Sequence, residues 1–547
     1  MPLKFNIRRF KGILFILFVF IISFTLSSCN LLLFDFSDKT VDNRGKSYDE
    51  ILNYTFDDNI KNEVSNIEAE MDRIYVQGVD VYSYISNFNA LYKLFTEILE
   101  YRTKAYIIYC LDKTNDNNEK YLNILEYLQG LRKYILQAFK DAYNSDFRSS
   151  FFRGWTQEEI DNVLKLNYTD KYYELQKQQD ELIQRYELLS LDEKIEQAKI
   201  EFPKLINLSN EMSKELNYNN YIEMAYDEIY DRDYSYFDSS LIYNYAKKYF
   251  KDLLIRLSAN LKAELSLLNS YQRKAINDFV KNYKYDDSEQ YFKHFAENLS
   301  GKYLDTYNHL NKTNLMFLGS NDNSLDGAFT TYGFNSNEPY LYFGKNYQSP
   351  FTIIHEFGHY FSYYLSSGSS GSYDLSETQS QSGEILFLYY LKKENIIDSN
   401  LVRALTLYKL VDDLQSVLTC LAVNEFELRC YQLDSFDNVD FDEIYLNIID
   451  DLIGLDYYRD NINQVPETYW KRVCISNAFY YISYSSSLIP SLGTYVIASN
   501  DYDDAKNKYF NLCSKSKGFK SVLEEIGYLS PFEESSYQQI VNSFTQI

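Results

Sequence analysis

Glycine and proline are scarce in this chain of 547 residues, at 18 and 7. So few breakers argue against a turn-rich sheet protein and favour long helices. Histidine is scarcer still, with only 4, so two of them at a chemically meaningful spacing carry weight. No CxxC pair occurs, which removes support for a cysteine metal site. Positive charge is in deficit: the formal net charge is −24, and a nucleic-acid partner, which needs concentrated Lys and Arg to release counterions, is excluded. The acidity reads as solubility, because net charge governs colloidal behaviour and steering rather than chemistry.

Aromatic rings are what the chain has in excess. There are 56 Tyr and 37 Phe, and 45% of residues are hydrophobic against 24% charged, which suits a large folded core and excludes disorder as the main state. The length exceeds what one core usually supports, so two lobes of mainly α structure are expected.

The N-terminus reads as an address. Lys4, Arg8, Arg9 and Lys11 precede an apolar run from Ile13 to Leu26, followed by Ser27, Ser28 and Cys29. This is the pattern of a secretory signal (1–28), and Leu-Ser-Ser-Cys resembles the bacterial lipoprotein box, with Cys29 as the lipidated first mature residue. An uncleaved anchor helix is the alternative; either way the body lies outside the cytoplasmic membrane, in the cell envelope, with the lipid as its membrane contact. Residues 29–46 form a polar tether. Cys110, Cys420, Cys430, Cys474 and Cys513 remain, an odd number at irregular spacing, and are expected as buried free thiols.

From 47 to about 310 the pattern is helical, with apolar residues three and four apart over Tyr82–Leu111, Tyr121–Tyr143 and Leu241–Tyr283. Gly327, Gly333, Pro339 and Gly344 then bracket two short runs, Ala328–Thr331 and Tyr340–Phe343, that suit strands. Helical periodicity returns at Pro350 and continues to the end of the second unit (311–547), broken by the Ser/Gly loop from Ser366 to Tyr373.

The chemistry lies just after Pro350, in His355-Glu356-Phe357-Gly358-His359. Residues four apart share a helix face, so both imidazoles reach one tetrahedral zinc ion while Glu356 reaches the water such an ion activates. A catalytic zinc needs a third protein ligand. Glu377 is the choice, in a run where helical spacing puts Glu377, Ser380, Gln381 and Glu384 on one face. Asp374, Ser380 and Glu384 are candidates for orienting the ligands from behind. His294 and His309 read as surface or core residues.

These stretches resemble the thimet oligopeptidase and oligoendopeptidase family of zinc metallopeptidases. HEFGH with Asp374-x-x-Glu377-x-x-Ser380-Gln381-x-x-Glu384 is similar to its metal signature, and Gly327-Ala328 with Pro339–Phe343 to its active-site strand. Asn220–Tyr226 resembles its helical-lobe motif and Phe479–Tyr484 its C-terminal tyrosine segment. The resemblance implies a two-lobed helical body with a deep channel, a small sheet beside the active-site helix, one zinc per chain and short unfolded peptides as substrates. It implies that a sheet edge at Tyr340, Leu341, Tyr342 and Phe343 pairs with the substrate backbone. It also implies that Tyr480, Tyr481 or Tyr484 donates to the oxyanion.

Two departures stand beside the likeness. Fewer residues separate His359 from Glu377 than the family's usual two dozen or so, a spacing nearer that of thermolysin-like and aminopeptidase-like enzymes. No His follows His359, and Val473 or Cys474 occupies the neighbourhood where the family places one. The alternatives are a peptide-binding surface lipoprotein, weakly active or inactive on this fold, and an aminopeptidase-type zinc enzyme.

Overall fold

The computed structural model describes Tyr54 and residues 56–547, apart from positions 79, 158–159, 162–163, 165–168, 188, 283, 321, 369–371, 463–464 and 517. The expected signal peptide, Cys29 and tether lie outside the described residues, as does part of the Ser/Gly loop. Among the described residues, no helix is long and apolar enough to cross a membrane.

Among the described residues the body is helical with one three-stranded sheet. An antiparallel pair, Val81–Leu111 and Asn115–Asn144, starts at Asp80 and Thr114, whose side chains accept first-turn backbone N–H groups, satisfying donors that a helix leaves orphaned. Both match the predicted segments. The run expected as one helix from Leu241 to Tyr283 is broken: Tyr236–Leu267 stops, and Ser270–Asn277 begins afresh before a π-turn at Asp278–Asn282. The cause is local. Asn269 Oδ1 accepts the Gln272 N–H at 2.9 Å and Gln272 Oε1 accepts the Asn269 N–H at 3.1 Å, a capping box that competes with helix continuation.

The sheet comprises β1 (Met316–Leu318), β2 (Ala328–Gly333) and β3 (Glu338–Phe343), in the order β1-β3-β2. β3 runs parallel to β1 and antiparallel to β2, with Thr330 opposite Leu341. This corrects the substrate-edge expectation. Tyr340, Leu341, Tyr342 and Phe343 lie on the central strand, with backbone groups paired on both sides and side chains buried, so no peptide can add there. Tyr342 serves the core instead, its hydroxyl 2.8 Å from the Cys110 and Leu325 carbonyls.

Among the described residues two hydrophobic clusters form the core, and each draws side chains from before and after residue 310. The one around the sheet explains much of the aromatic excess: Phe357 meets Phe292 and Tyr303 edge-on at 4.7 and 4.9 Å, and Tyr303 meets Phe361 at 5.0 Å. Full burial of such a side chain is worth about 1.5–3 kcal/mol, so these rings anchor the helix that carries both histidines. Cys110, Cys420, Cys430, Cys474 and Cys513 are buried and unbridged, as expected.

Candidate active site

The motif helix spans Pro350–Ser366, with proline in its first turn and Ser349 Oγ accepting the Thr352 N–H at 3.2 Å. A second helix, Tyr373–Lys393, starts at the N-cap Ser372 and carries the predicted carboxylates. The two touch where Gly358 meets Ser380. A Cβ on Gly358 would stand 2.7 Å from the Ser380 Cα, so glycine is what lets the backbones approach.

That approach brings three predicted ligands together. One nitrogen from each of His355 and His359 and one oxygen from Glu377 all lie within 4.8 Å of one another. The two rings sit 5.0 Å apart, and His355 Nε2 is 3.5 Å from Glu377 Oε2. The outer nitrogens are engaged elsewhere. His355 Nδ1 lies 2.7 Å from Glu384 Oε1, and His359 Nδ1 lies 3.0 Å from Ser376 Oγ, leaving Nε2 of each ring on the shared side. Two imidazoles and one carboxylate converging on a point, each ring braced from behind, form a donor set that fits a catalytic zinc.

The predicted supports divide. Glu384 orients His355, and its other oxygen lies 3.1 Å from Lys409 Nζ, itself 2.6 Å from Asp413. Ser380 Oγ donates to the Glu377 carbonyl at 3.0 Å and lies 3.5 Å from its carboxylate. Asp374 faces another way: it accepts from Arg232 at 3.2 Å, Tyr234 at 2.7 Å and the hydroxyls of Ser483 and Ser486. Ser376, Thr330, Lys409 and Arg232 join them without being marked by the motif spacing. Ser376 had a local signal, since it stands beside Glu377 on the same helix; the others arrive from distant segments.

Glu356 is buried beside the histidines, and Thr330 Oγ1 of β2 lies 2.9 Å from its Oε2 and 2.8 Å from its carbonyl. Burial raises its pKa to about 7, against the lowering effects of His355 and the Thr330 hydrogen bond. Burial alone would lower His355, but the Glu384 hydrogen bond and the charges of Glu384, Glu377 and Glu356 carry it to about 9. Burial and the neighbouring His355 hold His359 well below the ordinary range. A buried carboxyl beside the two imidazoles, with one oxygen held by Thr330, is placed to accept and return a proton.

A cavity of about 240 Å³ opens onto His355 and Glu356, walled by Ala328, Thr352, Tyr408 and Lys409. A larger cleft, about 810 Å³, lies among the N-terminal helices between Phe56, Lys61 and Tyr127 and holds none of the site residues. His294 is exposed, and half-buried His309 pairs with Glu338 at 2.9 Å.

In the tyrosine segment, the hydroxyls of Tyr480 and Tyr484 meet at 3.0 Å, and Tyr480 packs edge-on against Tyr373 at 5.9 Å. Tyr481 is buried toward Tyr469, Cys420 and Cys474. Cys474, near the position compared with the family histidine, is wholly buried beside Glu427.

The chain matches no protein-family model and no curated protein sequence. Its fold does match solved structures. A protein described as an oligoendopeptidase F of Bacillus anthracis strain Ames superposes with TM-score 0.69 at 16% identity, covering 92% of this chain and 98% of that one. PZ peptidase A with a bound inhibitor gives 0.71 at 16% identity over 91% and 99%. Metallocarboxypeptidase 1 of Trypanosoma cruzi gives 0.57 at 13% identity over 85% and 100%. The helical oligoendopeptidase fold expected from the motifs is therefore the fold of this chain.

Proposed function

We propose that the chain is a divergent member of the oligoendopeptidase family, a zinc metallopeptidase that hydrolyses short unfolded peptides. In this reading it is held at the cell envelope by lipidated Cys29, with a helical unit (47–310) and a zinc-binding unit (311–547). The observation that carries the activity is the convergence of His355, His359 and Glu377, each imidazole braced from behind, with Glu356 buried alongside.

His355, His359 and Glu377 would hold a zinc ion, which would supply Lewis acidity toward a carbonyl and water. Glu356 takes the proton from the attacking water and returns it to the leaving amine, with Thr330 fixing one carboxylate oxygen. The Tyr480 and Tyr484 hydroxyls donate to the developing oxyanion. Strand β2 pairs with β3 alone among the described residues, and in this reading the peptide backbone adds along its other side.

The test is elemental analysis for zinc together with digestion of a quenched fluorescent peptide library by wild type and Glu356→Gln. The expected result is one zinc in both proteins and hydrolysis by wild type alone; equal rates would sink the assignment. The burial of Cys474 near the position expected for histidine favours one second reading, a peptide-binding lipoprotein of little activity. That reading predicts peptide affinity without turnover in the same assay.

A further inference from the structure

Phe479 has φ 63°, a left-handed conformation that bulky side chains adopt rarely and at a cost. Its ring does not explain this, since it packs in the core at 4.9 Å from Tyr431 and 6.2 Å from Tyr226. Its backbone does. The Phe479 N–H donates to Glu427 Oε2 at 2.9 Å, and its carbonyl accepts from Arg232 at 2.8 Å. The preceding carbonyl, of Ala478, accepts from the Tyr230 hydroxyl at 2.8 Å. Arg232 and Glu427 are both wholly enclosed. Holding one strained residue with a buried guanidinium and a buried carboxyl is a large investment for a loop, and such over-determined strain clusters where geometry has to be exact.

Two further links show what the turn governs. The residue after Phe479 is Tyr480, whose hydroxyl meets that of Tyr484. The same Arg232 guanidinium also donates to Ser483 Oγ at 2.8 Å and to Asp374, one turn before Glu377. Its planar group is sandwiched near the rings of Tyr226 and Tyr230, at 4.4 and 4.3 Å, so it has little freedom to turn. A single guanidinium therefore ties the helix bearing the third metal ligand to the segment bearing the tyrosine pair.

We infer that Arg232 and Tyr230 are positioning residues: with Glu427 they hold the left-handed turn at Phe479 and thereby aim the Tyr480 and Tyr484 hydroxyls at the reacting carbonyl. The inference deepens the peptidase reading above and rests on it.

The test uses the full-length, zinc-loaded protein and a quenched fluorescent peptide, with Tyr480→Phe, Tyr484→Phe, Tyr230→Phe and Arg232→Lys. Tyr230→Phe keeps the ring and removes only the bond to the Ala478 carbonyl. At least one of Tyr480→Phe and Tyr484→Phe lowers kcat about a hundredfold, the loss typical of one oxyanion donor. Tyr230→Phe and Arg232→Lys each lower kcat about tenfold, the equivalent of one hydrogen bond, while KM and bound zinc per folded chain stay within about twofold. Combined with the more damaging tyrosine variant, Tyr230→Phe adds no further loss, because a donor already removed cannot be misaimed.

Wild-type kcat in both Tyr230→Phe and Arg232→Lys, beside a slow tyrosine variant, overturns the positioning role and leaves the peptidase reading standing. So do losses that multiply in the double variant, or losses that follow from a smaller folded, zinc-loaded fraction. Unchanged kcat in both tyrosine variants removes the oxyanion assignment itself, and the positioning role with it.

Discussion

Nδ1 of His355 lies 2.7 Å from Oε1 of Glu384, which fixes the ring's tautomer and turns its Nε2 toward His359 and Glu377. The Lys409 ammonium, 3.1 Å from the other oxygen of Glu384, helps keep that carboxyl ionised against the burial that would protonate it. Glu384→Ala frees the ring and leaves Lys409 without one partner. Zinc affinity, measured by chelator competition, is expected to fall about 10–100-fold, as for other residues that brace metal ligands. An affinity within twofold of wild type refutes the brace.

Thr330 makes the corresponding contact to the proposed base. Thr330→Val keeps the buried shape and deletes the hydroxyl 2.9 Å from Glu356 Oε2. Losing a hydrogen bond to a charged group costs about 1.5–3 kcal/mol, so kcat is expected to fall about tenfold or more with zinc content unchanged. Steady-state kinetics beside elemental analysis separates this from a metal defect, which would lower both.

The candidate metal centre was legible in the sequence because its logic is local. His355 and His359 stand one helical turn apart, and Glu377 and Glu384 stand two turns apart on the next helix, relations that a 3.6-residue period gives directly. The helix break at Asn269 was also written locally, as Asn269-x-x-Gln272, but the apolar periodicity on both sides masked it. What the chain could not reveal is tertiary. Thr330 reaches Glu356 across 26 residues and Arg232 reaches Asp374 across 142. Strand order is tertiary too: β3 became the centre of the sheet only because β1 pairs parallel to it, a crossover with no local signature, and so the edges fell to β1 and β2.

Gly358→Ala tests the close packing of the two helices that carry His355, His359 and Glu377. Alanine gains roughly 1 kcal/mol in helix propensity, yet its methyl would stand 2.7 Å from the Ser380 Cα, and backbone cannot step aside as a side-chain tip can. Overpacking of this kind costs about 1–3 kcal/mol, so the clash wins. A lower thermal midpoint is expected, together with weaker zinc binding, because the shift separates Glu377 from the histidines. A midpoint at or above wild type would show that the interface yields freely.

Glu427 gives a pH signature away from the metal. Burial pushes its carboxyl well above the ordinary range, against the smaller lowering effect of the Phe479 N–H. Between the unfolded value near 4.3 and its raised folded value, the native chain keeps a proton that the unfolded chain has lost. Stability from this group is therefore complete below about pH 4.3 and drains away as pH rises through that window, by up to about 1.4 kcal/mol per pH unit. Glu427→Gln retains an oxygen to accept the Phe479 N–H and has no proton to lose. The difference in stability between wild type and Glu427→Gln, followed by urea unfolding from pH 5 to pH 8, is expected to move in favour of the variant as pH rises. Referring wild type to the variant at each pH removes the common titration of the metal centre. Parallel curves would mean that Glu427 is ionised in the folded chain and that its charge is balanced by Arg232.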